Sequence, residues 1–166
     1  MRIMPEIRPR VVLFSFLLTL VSACQDKVAA NPAEWAYLVT PQGKILVKLA
    51  ITDDQQRKGF SGTRDEDWPA DDGILFLNDY DDVREFWMPD TYFDLDLHYL
   101  DSKFKIIGIE RKLPHHLGRD PDRVPRAKPF VSRHVLELKH SSKVSQKLKE
   151  GDQLRFESPN PPPQTK

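Results

Sequence analysis

The chain carries one cysteine among its 166 residues, no net formal charge and no apolar run of 18 residues or more. A single thiol excludes disulfide scaffolds and four-thiolate zinc sites together. With 25 basic side chains against 25 acidic ones there is no global positive field to gather nucleic acid. No zinc-finger, basic-zipper or RNA-recognition pattern is present either, so no nucleic-acid partner is expected. The missing apolar run removes an ordinary membrane-spanning helix. Nucleophile elbows of the Gly-x-Ser-x-Gly type and cofactor loops are also missing, and no cofactor is expected. What is present is ordinary for a globular chain: 39% apolar and 30% charged residues, in a length that fits one domain.

The N-terminus reads as an address. Arg2, Arg8 and Arg10 outweigh Glu6, Val11 to Leu20 is an apolar core, and small residues Val21-Ser22-Ala23 follow. This is the pattern of a secretory signal over 1–23. The next residue is Cys24, and Val-Ser-Ala-Cys resembles a bacterial lipobox, in which the thiol is acylated and the chain is cut just before it. The plainer alternative is an ordinary signal peptide followed by an incidental free cysteine. Acylation would make a membrane the partner: each buried methylene contributes about 0.8 kcal/mol, so a multiply acylated cysteine holds firmly. The expected location is the cell envelope, lipid-anchored and facing the periplasm. Gln25, rather than Asp, favours the outer over the inner membrane by resemblance to Gram-negative lipoproteins. Cleavage would leave 22 basic and 24 acidic residues over 24–166, a net of −2.

Residues 24–33 read as a tether, 34–157 as one β-rich domain, and 158–166 as a Pro-rich tail expected to be disordered. Trp35, Tyr37 and Val39 alternate, as do Ile45, Val47, Leu49 and Ile51, with Thr40-Pro41-Gln42-Gly43 turning between them. Thr52-Asp53-Asp54-Gln55 is a capping box, and Gly59 stops the short helix it opens. Gly73–Leu77 and Val83–Met88 are brief apolar runs, the second ended by Pro89. Leu95–Leu100 and Phe104–Ile109 flank a second turn. From 112 to 132 four prolines hold an extended loop without periodicity, a length often associated with function or mobility. Val135–Leu138 resumes a strand, Ser141 or Ser142 caps a helix carrying Val144 and Leu148, and Leu154 and Phe156 suggest a last strand. The expected fold is mainly β (α+β): a curved antiparallel or barrel-like sheet of about seven or eight strands with two short helices.

Charge is unevenly spread. Residues 53–101 hold 15 acids against four bases, and 102–149 hold 13 bases against four acids. Such halves either present a bipolar surface to a partner or neutralise each other.

Phe86-Trp87-Met88-x-x-Thr91 followed by Leu95-Asp96 is an unusual word. With Gly59-Phe60 and Gly73-Ile74-Leu75-Phe76 before it, and Val135-Leu136-Glu137 and Gly151-Asp152 after it, the stretch 44–156 resembles the domain of unknown function 192 family. That resemblance implies a small β-rich fold, often secreted or lipid-anchored, and no established activity. Ser61 stands where the family has Met, Pro89-Asp90 where it has Lys-Asn, Asp94 where it has Pro, and His98 at an aliphatic position.

Several clusters could carry chemistry. Asp96 and His98, at i and i+2 on a strand, share a face about 7 Å apart and suit a carboxylate orienting an imidazole base. The plain reading is a surface pair. Asp94 and Asp96 have a spacing near that of glycosidase carboxylates but lie on one strand. His115-His116 with Asp120 and Asp122 lacks a helical ligand spacing, so no metal is expected. Phe86, Trp87 and Met88 beside Asp90, Thr91, Asp96 and His98 are the candidate ligand-binding set, bordered by the 112–132 loop. The expected function is that of an envelope lipoprotein binding a small ligand or another envelope protein. The alternative is a hydrolase of an envelope substrate with Asp96 and His98 as its acid–base pair; no catalytic residue is otherwise assigned.

Overall fold

The Thr40–Gly43 turn is stitched by its own threonine: Thr40 Oγ1 accepts from Gln42 N at 3.0 Å and donates to Gly43 O at 2.8 Å. It joins β1 (Trp35–Thr40) to β2 (Gly43–Ala50) as an antiparallel hairpin in which Leu38 faces Ile45. The structure is a computed structural model that describes residues 34–157. The expected signal peptide, Cys24, the tether 24–33 and the tail 158–166 lie outside the described residues. Within them no helix is long and apolar enough to cross a membrane.

After β2 the capping box forms as the sequence predicts. Thr52 Oγ1 accepts from Gln55 N, Gln55 Oε1 accepts from Thr52 N, and α1 runs Asp53–Lys58 before Gly59 at φ 44° ends it. The chain then returns as β3 (Gly73–Phe76), which pairs parallel to β2. This is one departure from the all-antiparallel expectation, and α1 supplies the crossover that a parallel pair requires. The remaining strands are β4 (Asp82–Arg84), β5 (Leu95–Leu100), β6 (Ile106–Leu113), β7 (Phe130–Ser132), β8 (His134–Lys139) and β9 (Arg155–Glu157). Seven of them form one curled sheet in the order β6-β5-β8-β3-β2-β1-β9, and β4 pairs with β7 in a small second sheet. The fold is mainly β, a half-barrel with few helices, as predicted.

The two outer strands meet. Ile106 N donates to Asp152 O, Gly151 N to Ile106 O and Leu154 N to Phe104 O. The residues leading into β9 thus pair with those leading into β6, and Lys105 bridges Gln153.

Both faces of the central strands are covered. Leu95, Leu97, Tyr99 and Val135 join Phe60, Phe76, Met88 and Phe93 on one face, while Leu75, Leu136 and Leu138 join Leu38, Val47 and Leu148 on the other. Each such side chain contributes on the order of 1.5–3 kcal/mol on burial. β5 and β8 are consequently buried at every position.

Three local expectations are corrected. Val83–Met88 is not one strand: β4 ends at Arg84, and Trp87 makes only an isolated bridge to Arg126. The 141–148 helix is a single 3-10 turn at Ser145–Lys147, although Ser142 Oγ does accept from Ser145 N at 3.1 Å as a cap would. The extended loop is shorter than 112–132, because β6 extends to Leu113 and β7 begins at Phe130.

Candidate functional site

A groove of about 530 Å³ opens between α1 and the segment 83–91. Gln56, Gly59 and Phe60 form one wall and Phe86, Met88 and Thr91 the other; Phe76, Leu95 and Glu137 also line it. Each wall is held by identifiable contacts. Gln56 Nε2 reaches the carbonyls of Ala50 and Leu77 and Asn78 Oδ1, pinning α1 to the end of β3. Gly59 approaches so closely that an added Cβ would stand 3.4 Å from both Glu137 Oε2 and Phe76 Cζ. Phe60 meets Phe93 edge to face at 5.1 Å, and Phe76 meets Phe86 in the same way at 4.9 Å.

The second wall is laced to the proline-rich segment from behind. Ala127 N donates to Phe86 O, Met88 N to Pro125 O and Asp90 N to Gly118 O, and Thr91 exchanges both backbone bonds with His116. Residues 114–129 therefore border the candidate set from behind, as expected, and none of them lines the groove. Alternation places Phe86 and Met88 inward and Trp87 outward. Met88 is 1% exposed and Trp87 44%, with the Arg126 guanidinium 5.5 Å from the centre of the indole ring.

Phe86, Trp87, Met88 and Thr91 line this one groove. Asp90 turns away from it. It takes a positive φ of 48°, accepts from Gly118 N at 3.0 Å and pairs with Arg119, whose hydrogen bond holds its carboxyl below the usual range.

Asp96 and His98 lie on the opposite face of β5 and are fully buried rather than forming a surface pair. The 3-10 turn at 145–147 and Arg111 close over them. Asp96 accepts from Arg111 (2.8 Å), Lys112 N (2.8 Å) and Ser145 Oγ (2.6 Å), with His140 Nδ1 also at 2.8 Å. Burial alone would raise its pKa, but these hydrogen bonds outweigh burial and hold the carboxyl low. His98 sits with Nε2 3.4 Å from Ser145 Oγ and Nδ1 3.4 Å from Leu136 O. Burial, assisted by Arg111, pushes its pKa down to about 4, so the ring is neutral. A Ser–His–Asp grouping thus exists, but Ser145 spends its hydroxyl on Asp96 and all three residues are sealed from solvent.

Asp94 receives both the backbone N–H and the ring of His115. Among the described residues no group of three or more His, Cys, Asp or Glu side chains converges as a metal site.

The residue that sequence reasoning missed is Glu137. It is 5% exposed, its Oε2 has no hydrogen-bond partner, and burial pushes its carboxyl up to about 8. From the sequence Val135–Leu138 reads only as a resumed strand, which says nothing of what covers Glu137; in the structure Gly59 and Phe76 lie against it.

Solved structures share this fold. A Sinorhizobium meliloti 1021 protein, provisionally named a transcription regulator, superposes with a TM-score of 0.59 at 25% identity, over 75% of this chain and 94% of that one. A protein of unknown function from Novosphingobium aromaticivorans DSM 12444 superposes with a TM-score of 0.58 at 20% identity, over 78% of this chain and 89% of that one. No curated protein matches the chain. The model of the DUF192 family, described as an uncharacterized ACR, matches residues 37–156, a span that includes both groove walls and β8. The half-barrel, the Phe-Trp-Met wall and that match together place this chain in the domain of unknown function 192 family.

Proposed function

We propose that the protein is a cell-envelope lipoprotein, anchored through an acylated Cys24, whose β domain binds a small ligand in the groove between α1 and residues 83–91. The observation that carries the binding half is the groove itself: about 530 Å³, with Phe60, Phe76, Phe86 and Met88 forming its apolar part and polar or charged side chains, Gln56, Lys58 and Glu137 among them, around the rest. A concave site of this size that combines apolar walls with converging polar groups has the form of a small-molecule site. The envelope half is supported by the leader pattern and the single cysteine that follows it. Binding is favoured over hydrolysis because Asp96 is already engaged by Arg111, Lys112, Ser145 and His140, and neither it nor His98 lines the groove.

Native mass spectrometry of the purified protein tests the first half. A retained small molecule that is lost in Trp87→Ala, a change at a half-exposed rim residue, supports it. A protein that carries no ligand and takes up none from an envelope extract refutes it. Acyl labelling tests the second half: Cys24→Ala abolishes incorporation and releases the protein from the membrane fraction, whereas persistent labelling refutes the anchor.

A further inference from the structure

We infer that Glu137 is the recognition group of the groove and that the ligand is an organic cation, a protonated amine on a small apolar body. The inference rests on reading the groove as a ligand site. Its independent support is a buried carboxyl oxygen, Glu137 Oε2, that lines the groove and meets no donor. Buried polar atoms are nearly always paired, and an orphaned one asks what completes it.

Among the described residues none supplies that partner. The charged groups that line the groove are Asp53, Arg57, Lys58, Arg84 and Glu85. Asp53, Arg57, Lys58 and Glu85 are exposed. Arg57 pairs with Asp54, and Arg84 spends its guanidinium on the carbonyls of Tyr80 and Ser132. On β5, the Tyr99 hydroxyl donates to Lys128 O, and the nearby Glu137 adds to the burial that raises its pKa. Burial, with no offsetting cation, accounts for the raised pKa of Glu137.

A ligand that carries a positive charge would give this carboxyl the partner it lacks. A carboxylate in this niche is repelled by an anion and neutralised by an ammonium, and a buried acid gains most from a partner of opposite charge. The walls suit the same ligand. Phe76 and Phe86 stand edge to face beside the acid, and aromatic faces attract cations. Trp87 at the rim already stacks with the Arg126 guanidinium in this way. Binding has a proton ledger: the Glu137 carboxyl is mostly protonated at neutral pH, so the incoming ammonium displaces that proton to bulk water as the ion pair forms.

Calorimetric titration of the purified full chain at pH 7 tests this. The probes are phenethylammonium and its neutral analogue phenethyl alcohol, each in two buffers of different protonation heat. The cation is expected to bind at least tenfold more tightly than the alcohol and to release protons on binding. Glu137→Gln is expected to lose both the preference and the release. Equal binding of the two probes without proton release overturns the cation inference and leaves the groove reading standing. If neither probe binds and the tryptophan fluorescence is unmoved, both readings fall. Should Glu137→Gln fail to fold, the proton count on the wild-type chain decides alone.

Discussion

Two acids sit one strand apart and have opposite fates. Asp96 on β5 is surrounded by donors and kept ionised, whereas Glu137 on β8 meets none and keeps its proton. Asp96→Ala leaves Arg111 and His140 without their anion, and a broken buried pair of this kind costs about 3 kcal/mol or more in urea denaturation. Glu137→Gln has a pH signature instead. The folded state holds the Glu137 proton to about pH 8, while the unfolded chain releases it near 4.5. Each pH unit between those values therefore costs the wild type on the order of 1.4 kcal/mol that the variant does not lose. The stability of the variant relative to wild type should climb from pH 5 to pH 8; a constant difference would contradict a protonated Glu137. Both acids stand in short strand-like words, Leu-Asp-Leu-His and Val-Leu-Glu-Leu, and the first alternates as a strand with one wet face would. Alternation reports which residues share a face and is silent on what lies against it. The strands were thus legible in the sequence and the burial of their polar faces was not.

Elements show the same division between local and distant causes. The β1–β2 hairpin and α1 were legible because their signals are contiguous: a Pro-Gly turn, a reciprocal capping box and a glycine stop. The short strands β4 and β7 were not, since three residues carry no period and each exists only because the other pairs with it. The Phe-Trp-Met wall was readable as a candidate site, but its opposite wall comes from α1 and its acid from β8, which only the sheet order brings together. That order depends on close approach at β3. A Cβ on Gly73 would stand 2.6 Å from the backbone carbonyl of Glu137 across the β3–β8 pair, and backbone cannot step aside. Gly73→Ala should cost about 1–3 kcal/mol. Gly108→Ala also clashes, at 2.4 Å, but with the ring of Phe130 on the half-buried edge of β7, which can swing. The smaller loss is expected there, and urea midpoints of the two variants measured side by side check the order.

Across the described residues, ion pairs join the acidic half to the basic half. Arg111 pairs with Asp96, Arg119 with Asp90, Arg133 with Asp81 and Lys139 with Asp65, each joining a base beyond residue 101 to an acid before it. The buried titrating groups then set a stability optimum. His98 and His134 are held down to about 4, so below the ordinary histidine value of 6.5 the unfolded chain takes up protons that the fold refuses, and stability falls toward acid. Between 4.5 and 6.5 these two histidines outweigh the opposite slope of Glu137. Above 6.5 the raised carboxyl of Glu137 pulls the other way and removes on the order of 2 kcal/mol by pH 8. Scanning calorimetry should find the highest Tm near pH 6.5, and a Tm still rising at pH 8 would contradict this balance.

The seam between the outer strands has a consequence in time. β1 finds its second neighbour in β9, and residues 151–154 cover the rim before β6, so the first strand of the domain waits for the last. A nascent domain threaded outward head first would emerge with its leading strand half-partnered and a raw border exposed. It would become shut against neighbouring copies of itself only when Arg155–Glu157 arrived, and any stall short of that point would leave a chain ready to aggregate.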